Sequence, residues 1–234
     1  MTKISTQNMG QLPNVATLKR ALRAAAMLDA LLDPTDPGDR YYQFEHTSPA
    51  KPWVSIGYWR NGSGDHLDAI FGRHGCLIRG FNHEARHMSP YRKTPPEVYP
   101  GVLDHIPAEF EDCRQVIHPS WWADTTFCIW RGHHDARWGI GTIDFPDAKD
   151  PDGSQWVLPY LDGRPDSYLE HAHDYYDATH LTLEQTVAFF ETTPLTQSMA
   201  KAINPDCVFQ EVLKEATHIG YPINQSDAGR TTNG

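Results

Sequence analysis

The sequence predicts an α+β fold: an antiparallel sheet of about five or six strands in the middle of the chain, packed with an N-terminal helix and a C-terminal helical segment. Two patterns carry this. Apolar residues recur at helical spacing near both ends of the chain, and they alternate with period two in between. The strand-like stretches also follow one another without helices between them, which favours segregated layers over βαβ units.

A helix is expected from Asn14, a good N-cap, to Asp33, where Pro34 and Pro37-Gly38 stop it. Leu18, Leu22, Ala25, Leu28 and Leu32 form its apolar stripe, widened by Met27 and Leu31. That stripe needs a cover, either its own sheet or a second copy, so a homodimer through the Leu18–Leu32 helix is one expectation. Alternation at Tyr42/Phe44 and at Val54/Ile56/Tyr58 reads as strands, and the glycines of Asn61–Asp65 reverse the chain into His66–Phe71. A second reversal at Gly72–Gly75 leads into Cys76–Phe81. Six prolines between residues 82 and 120 leave room only for short turns, around Val102–His105 and Ala108–Cys113. Thr125–Arg131 and Trp138–Ile143 read as a further hairpin. Asp147–Ser154 reads as an exposed acidic turn, Pro165 as the first residue of a helix, and Leu183–Glu191, Thr196–Ile203 and Asp206–Thr217 as further helices ended by Gly220 and Pro222. The expected organisation is one domain over residues 14–222, with flexible termini at 1–13 and 223–234.

With 39% hydrophobic and 21% charged residues the chain has the composition of a folded protein. Its net charge of −10 is concentrated. Between Asp144 and Asp177 nine carboxylates face only Lys149 and Arg164. Such a surface repels phosphates, which argues against nucleic acid and anionic membranes and in favour of a basic protein. The chain has no apolar run of membrane-spanning length and no export signal, so a cytoplasmic location is expected, with Cys76, Cys113, Cys128 and Cys207 as reduced thiols.

The one motif with chemistry is His83-Glu84-Ala85-Arg86-His87, which resembles the H-E-x-x-H string of zinc peptidases. The resemblance implies His83 and His87 as zinc ligands and Glu84 as the base that activates water. Pro90 lies three residues past His87, where the motif needs a continuing helix, and Pro90 and Lys93 stand where the extended form of the motif has Gly and His. Setting Gly153 at the sixth position of a calcium loop puts Ala148 first and Pro159 twelfth, where acidic ligands belong. Nucleophile-elbow, Walker and dinucleotide signatures are absent, so no cofactor is expected.

The function expected is therefore that of an acidic protein-binding module rather than an enzyme. Its partner-binding residues are expected to be Asp147, Asp150, Asp152, Trp156, Glu170, Asp174 and Asp177: carboxylates steer and orient a basic partner, and an aromatic residue anchors it. In general character the chain resembles the bacterial immunity proteins that block polymorphic toxins, and this resemblance implies an inhibitor of a basic partner. The alternative is a zinc-dependent hydrolase built on His83, Glu84 and His87.

Overall fold

The computed structural model describes residues 4–225 of the chain. Its order is α1 (Val15–Leu32), β1 (Tyr42–Glu45), β2 (Ser55–Arg60), β3 (His66–Phe71), β4 (Gly75–Phe81), α2 (Glu111–Arg114), β5 (Phe127–Gly132), β6 (Gly139–Ile140), α3 (Ser154–Val157), α4 (Pro165–Tyr176), α5 (Leu183–Phe190), α6 (Gln197–Ile203) and α7 (Phe209–Ile219). The six strands form one antiparallel sheet in the order β1-β2-β3-β4-β5-β6, a meander in which each strand pairs with its sequence neighbours. This is the α+β architecture the periodicities predict.

The alternation of side chains divides the interior in two. Leu67, Ala69 and Phe71 of β3, Cys76 and Ile78 of β4, and Phe127 and Ile129 of β5 join the core beneath the helices. Ile70, Leu77, Cys128 and Trp130 face the opposite way, into a second core closed by Met88, Val102, Phe110, Cys113 and Ile117 of the proline-rich stretch. A chain too rich in proline for long helices still covers a sheet face, with side chains delivered from short turns.

Helix α1 starts where expected: the Asn14 side chain accepts the Thr17 N–H. Its stripe is spent inside the protein. Leu18, Leu22, Ala25, Leu28 and Leu31 are buried in the first core, with Gly57 of β2 leaving room for Leu22, so of the two covers expected for this stripe the chain's own sheet and helices supply one. The described parts of both end segments are packed against the domain. Ile4 and Leu12 are core residues, and Asn224 N–H bonds to Leu195 O beside an Ile223–Leu195 bridge. Residues 1–3 and 226–234 lie outside the described residues. Strand β6 is shorter than Trp138–Ile143 because the turn at Gly101 lies against the backbone of Gly141 and Thr142 and takes the space of further pairing. All four cysteines are free and buried. Among the described residues no helix is long and apolar enough to cross a membrane.

Candidate functional site

The acidic stretch folds as loop, α3, a tight turn over Leu158–Leu161, and α4. Gly153 begins α3 at φ +72°, and a Cβ there would lie 2.3 Å from the Asn82 side chain, so only glycine fits. α3 turns Ser154 and Val157 inward and leaves Trp156 57% exposed. A second left-handed glycine, Gly163 at φ +74°, turns the chain into α4, whose first residue is Pro165. Tyr168 and Ala172 of α4 point into the core and Glu170 points out.

Between these elements runs an open groove of about 840 Å³. It is lined by Gln155 and Trp156 of α3, by Asp162, Arg164, Asp166 and Glu170 at and after the turn into α4, and by Ile4 and Gln11 of the N-terminal segment. The charge is three carboxylates against one guanidinium. Arg164 is already forked onto Asp166, its Nε donating to Oδ1 at 3.1 Å and Nη2 to Oδ2. Asp162 is half-buried, and burial raises its carboxyl above the usual carboxylate range. Its two oxygens accept the Arg164 N–H, at 2.9 Å, and the Ser167 hydroxyl.

Pro159, Tyr160, Asp162, Arg164 and Ser167 also line a smaller pocket of about 220 Å³ that continues beneath the groove. Its walls are Leu18, Leu22 and Ala25 of α1, Tyr42 of β1, Tyr168 of α4 and Phe190 of α5. The pocket is held open by a polar device that sequence reasoning missed. Asp29, fully buried in α1, accepts the Tyr42 N–H at 2.7 Å, the Tyr168 hydroxyl at 2.6 Å and the Tyr176 hydroxyl at 2.8 Å. The Tyr42 hydroxyl in turn donates to Tyr160 O at 3.1 Å. Burial pushes the Asp29 carboxyl up to about 7, opposed by these three hydrogen bonds and weakly by Arg40. Two walls of the pocket are thereby fastened to one carboxylate. A sequence signal for it exists: Asp29 lies four residues after Ala25 and three before Leu32, on the stripe whose period marks burial.

Of the residues expected to bind a partner, Trp156 and Glu170 meet in this groove. Asp152 does not belong there. It is buried, accepting the Thr6 hydroxyl at 2.5 Å, the Ser154 hydroxyl at 2.7 Å and the Ser154 N–H at 3.0 Å, which draws Pro151–Ser154 inward and corrects the expected exposed turn. Asp150 is half-buried and accepts the Gln155 N–H, helping to start α3. Asp147, Asp174 and Asp177 are exposed but line neither cavity, and Asp177 caps the end of α4 in a left-handed conformation. Asp162 and Asp166 complete the groove instead.

The string His83–His87 lies in turns rather than on a helix, so its two imidazoles are not stacked one helical turn apart. His83 Nδ1 lies 2.7 Å from Oδ1 of the buried Asp65, whose hydrogen bond raises the imidazole above its usual value. Glu84 lies beside the other ring nitrogen and Arg86. Among the described residues no three His, Cys, Asp or Glu side chains converge to hold a metal ion. Comparison of the chain with protein-family models, with curated proteins and with solved structures finds no match.

Proposed function

We propose that this protein is a binding module that receives a basic segment of a partner protein in the groove between α3 and α4. The observation that carries the reading is the exposed Trp156 lining the same open groove as Asp162, Asp166 and Glu170. An indole is the commonest kind of interface anchor, and carboxylates of one sign speed and orient the approach of a cationic partner. Lysine and arginine stems also have apolar surface to lay on Tyr160, Pro159 and the indole face. The mode of action proposed is inhibitory, in the manner of an immunity protein. A partner that uses a basic surface to hold an anionic substrate loses that surface when the groove covers it.

The test is titration of capped pentalysine, followed by Trp156 fluorescence and calorimetry, at low and at physiological ionic strength. Affinity is expected to fall as salt rises. Trp156→Ala and the charge reversal Asp166→Lys/Glu170→Lys are each expected to weaken binding roughly tenfold or more. Binding that ignores both salt and the charge reversal would overturn the proposal. The same titration with Asp174→Lys/Asp177→Lys should change little, since those carboxylates lie outside the groove.

A further inference from the structure

The inner pocket measures about 220 Å³, below the roughly 300–1,000 Å³ of sites that enclose a whole small-molecule ligand. It is sized for one side chain. We propose that it takes a single lysine of the basic partner, an inference that rests on the binding function proposed above. The walls suit a stem of methylenes, for Leu18, Leu22, Ala25 and Phe190 are apolar, and Tyr42 and Tyr168 have their polar ends engaged elsewhere. The mouth suits a cation. Asp162 stands there half-buried, bonded to an amide and a hydroxyl, while the one guanidinium beside it is occupied by Asp166. A neutral aliphatic side chain would fill the walls and leave Asp162 without a counterion.

Lysine fits better than arginine for a geometric reason. Each oxygen of Asp162 already accepts one donor, Oδ1 from Arg164 N–H and Oδ2 from the Ser167 hydroxyl, which leaves about one lone pair on each; a guanidinium fork needs both of these along one edge, and a single ammonium N–H needs only one of them. An ammonium is a point charge on a flexible stem and needs only one approach direction. The ring of Tyr160, which lines both cavities, flanks that approach.

The experiment uses capped pentapeptides of four ornithines around a central lysine, ornithine or norleucine, titrated calorimetrically into the full-length protein. Ornithine is one methylene shorter than lysine, and norleucine keeps the stem without the ammonium. The lysine peptide is expected to bind about fourfold more tightly than the ornithine peptide, the worth of one buried methylene, and more tightly than the norleucine peptide. Ala21→Leu, which projects from α1 into the pocket, should bring the lysine peptide down to the ornithine level and leave the ornithine peptide unchanged. Asp162→Asn should erase the preference for lysine over norleucine. Should Ala21→Leu fail to melt like the wild type, the ranking on wild type and on Asp162→Asn decides alone. Salt-dependent binding of all three peptides with no preference at the centre overturns the lysine pocket and leaves the groove reading intact. Absence of binding by every peptide overturns both.

Discussion

Two buried carboxylates lie on opposite faces of the sheet, Asp29 under the helices and Asp68 under the proline-rich layer, and the protein holds them in opposite ways. Asp29 receives three neutral donors and touches no cation. Asp68 lies between two arginines, with Arg79 Nε donating to Oδ2 at 2.6 Å and Arg60 donating to Oδ1. Arg79 is itself buried, and its Nη1 donates to Trp121 O and Asp124 O. Burial raises both carboxyls. At Asp29 it prevails and the group moves up to about 7, whereas at Asp68 attraction to Arg60 and Arg79 outweighs it and the group moves down. Burial alone therefore does not set the charge of an interior carboxyl in this fold. Between these two carboxyls, the difference is the pair of arginines in contact with Asp68.

The contrast breaks most sharply at Asp68. Asp68→Ala leaves the buried Arg79 uncompensated, and such a loss costs about 3–5 kcal/mol. Urea unfolding at neutral pH should show a destabilisation of that size. A change below about 1 kcal/mol would mean that Arg79 finds its charge satisfied by the two loop carbonyls and solvent. The sign of its pH dependence follows from the lowered pKa. Stability from Asp68 is present above the unfolded value of 3.8 and is lost as pH falls through the lower folded value.

Asp29 gives the opposite sign. Its folded pKa is raised from 3.8 to about 7, so between those values the folded state keeps a proton that the unfolded state has released. Its contribution is full below about pH 4 and declines as pH rises to about 7, with a slope of up to about 1.4 kcal/mol per pH unit. The difference in unfolding free energy between wild type and Asp29→Asn, measured from pH 4 to pH 8, isolates that slope. A flat difference would show that Asp29 ionises in the folded state as easily as in the unfolded one.

Tyr176 sharpens the same point with a smaller effect. Tyr176→Phe removes one of the donors that favour the charged form, at a cost of about 1 kcal/mol. It should also carry the decline of the previous experiment to higher pH, because less now opposes burial. A downward shift would mean that the hydroxyl stabilises the protonated carboxyl instead.

How much of this was readable beforehand depends on the separation of the groups involved. The Asn14 cap, the six strands and the Pro165 start of α4 rest on signals within a few residues, and they were legible. The proline-rich stretch was correctly denied long helices, yet nothing local shows that Met88, Val102 and Phe110 close a second core. The two partners that matter most were hidden by distance along the chain. Tyr168 and Tyr176 meet Asp29 from 139 and 147 residues away, and Thr6 draws Asp152 inward from 146 residues away. Acidic composition singles out the stretch, but only the fold separates Asp152, which is buried and builds it, from Glu170, which lines the groove.

Trp156 should show the smallest stability effect of all. It is more than half exposed on a four-residue helix, and it lines the groove and belongs to neither core. Trp156→Ala is expected to leave urea stability within about 0.5 kcal/mol of wild type. The same variant should lose most of the affinity for pentalysine. A scaffold residue such as Asp29 or Asp68 changes stability first and binding only through it, so the two kinds of position separate on a plot of one loss against the other. A large loss of stability on removing Trp156 would place the indole with the scaffold, as a lid over Tyr160 and Pro159, and the groove would then need a different anchor.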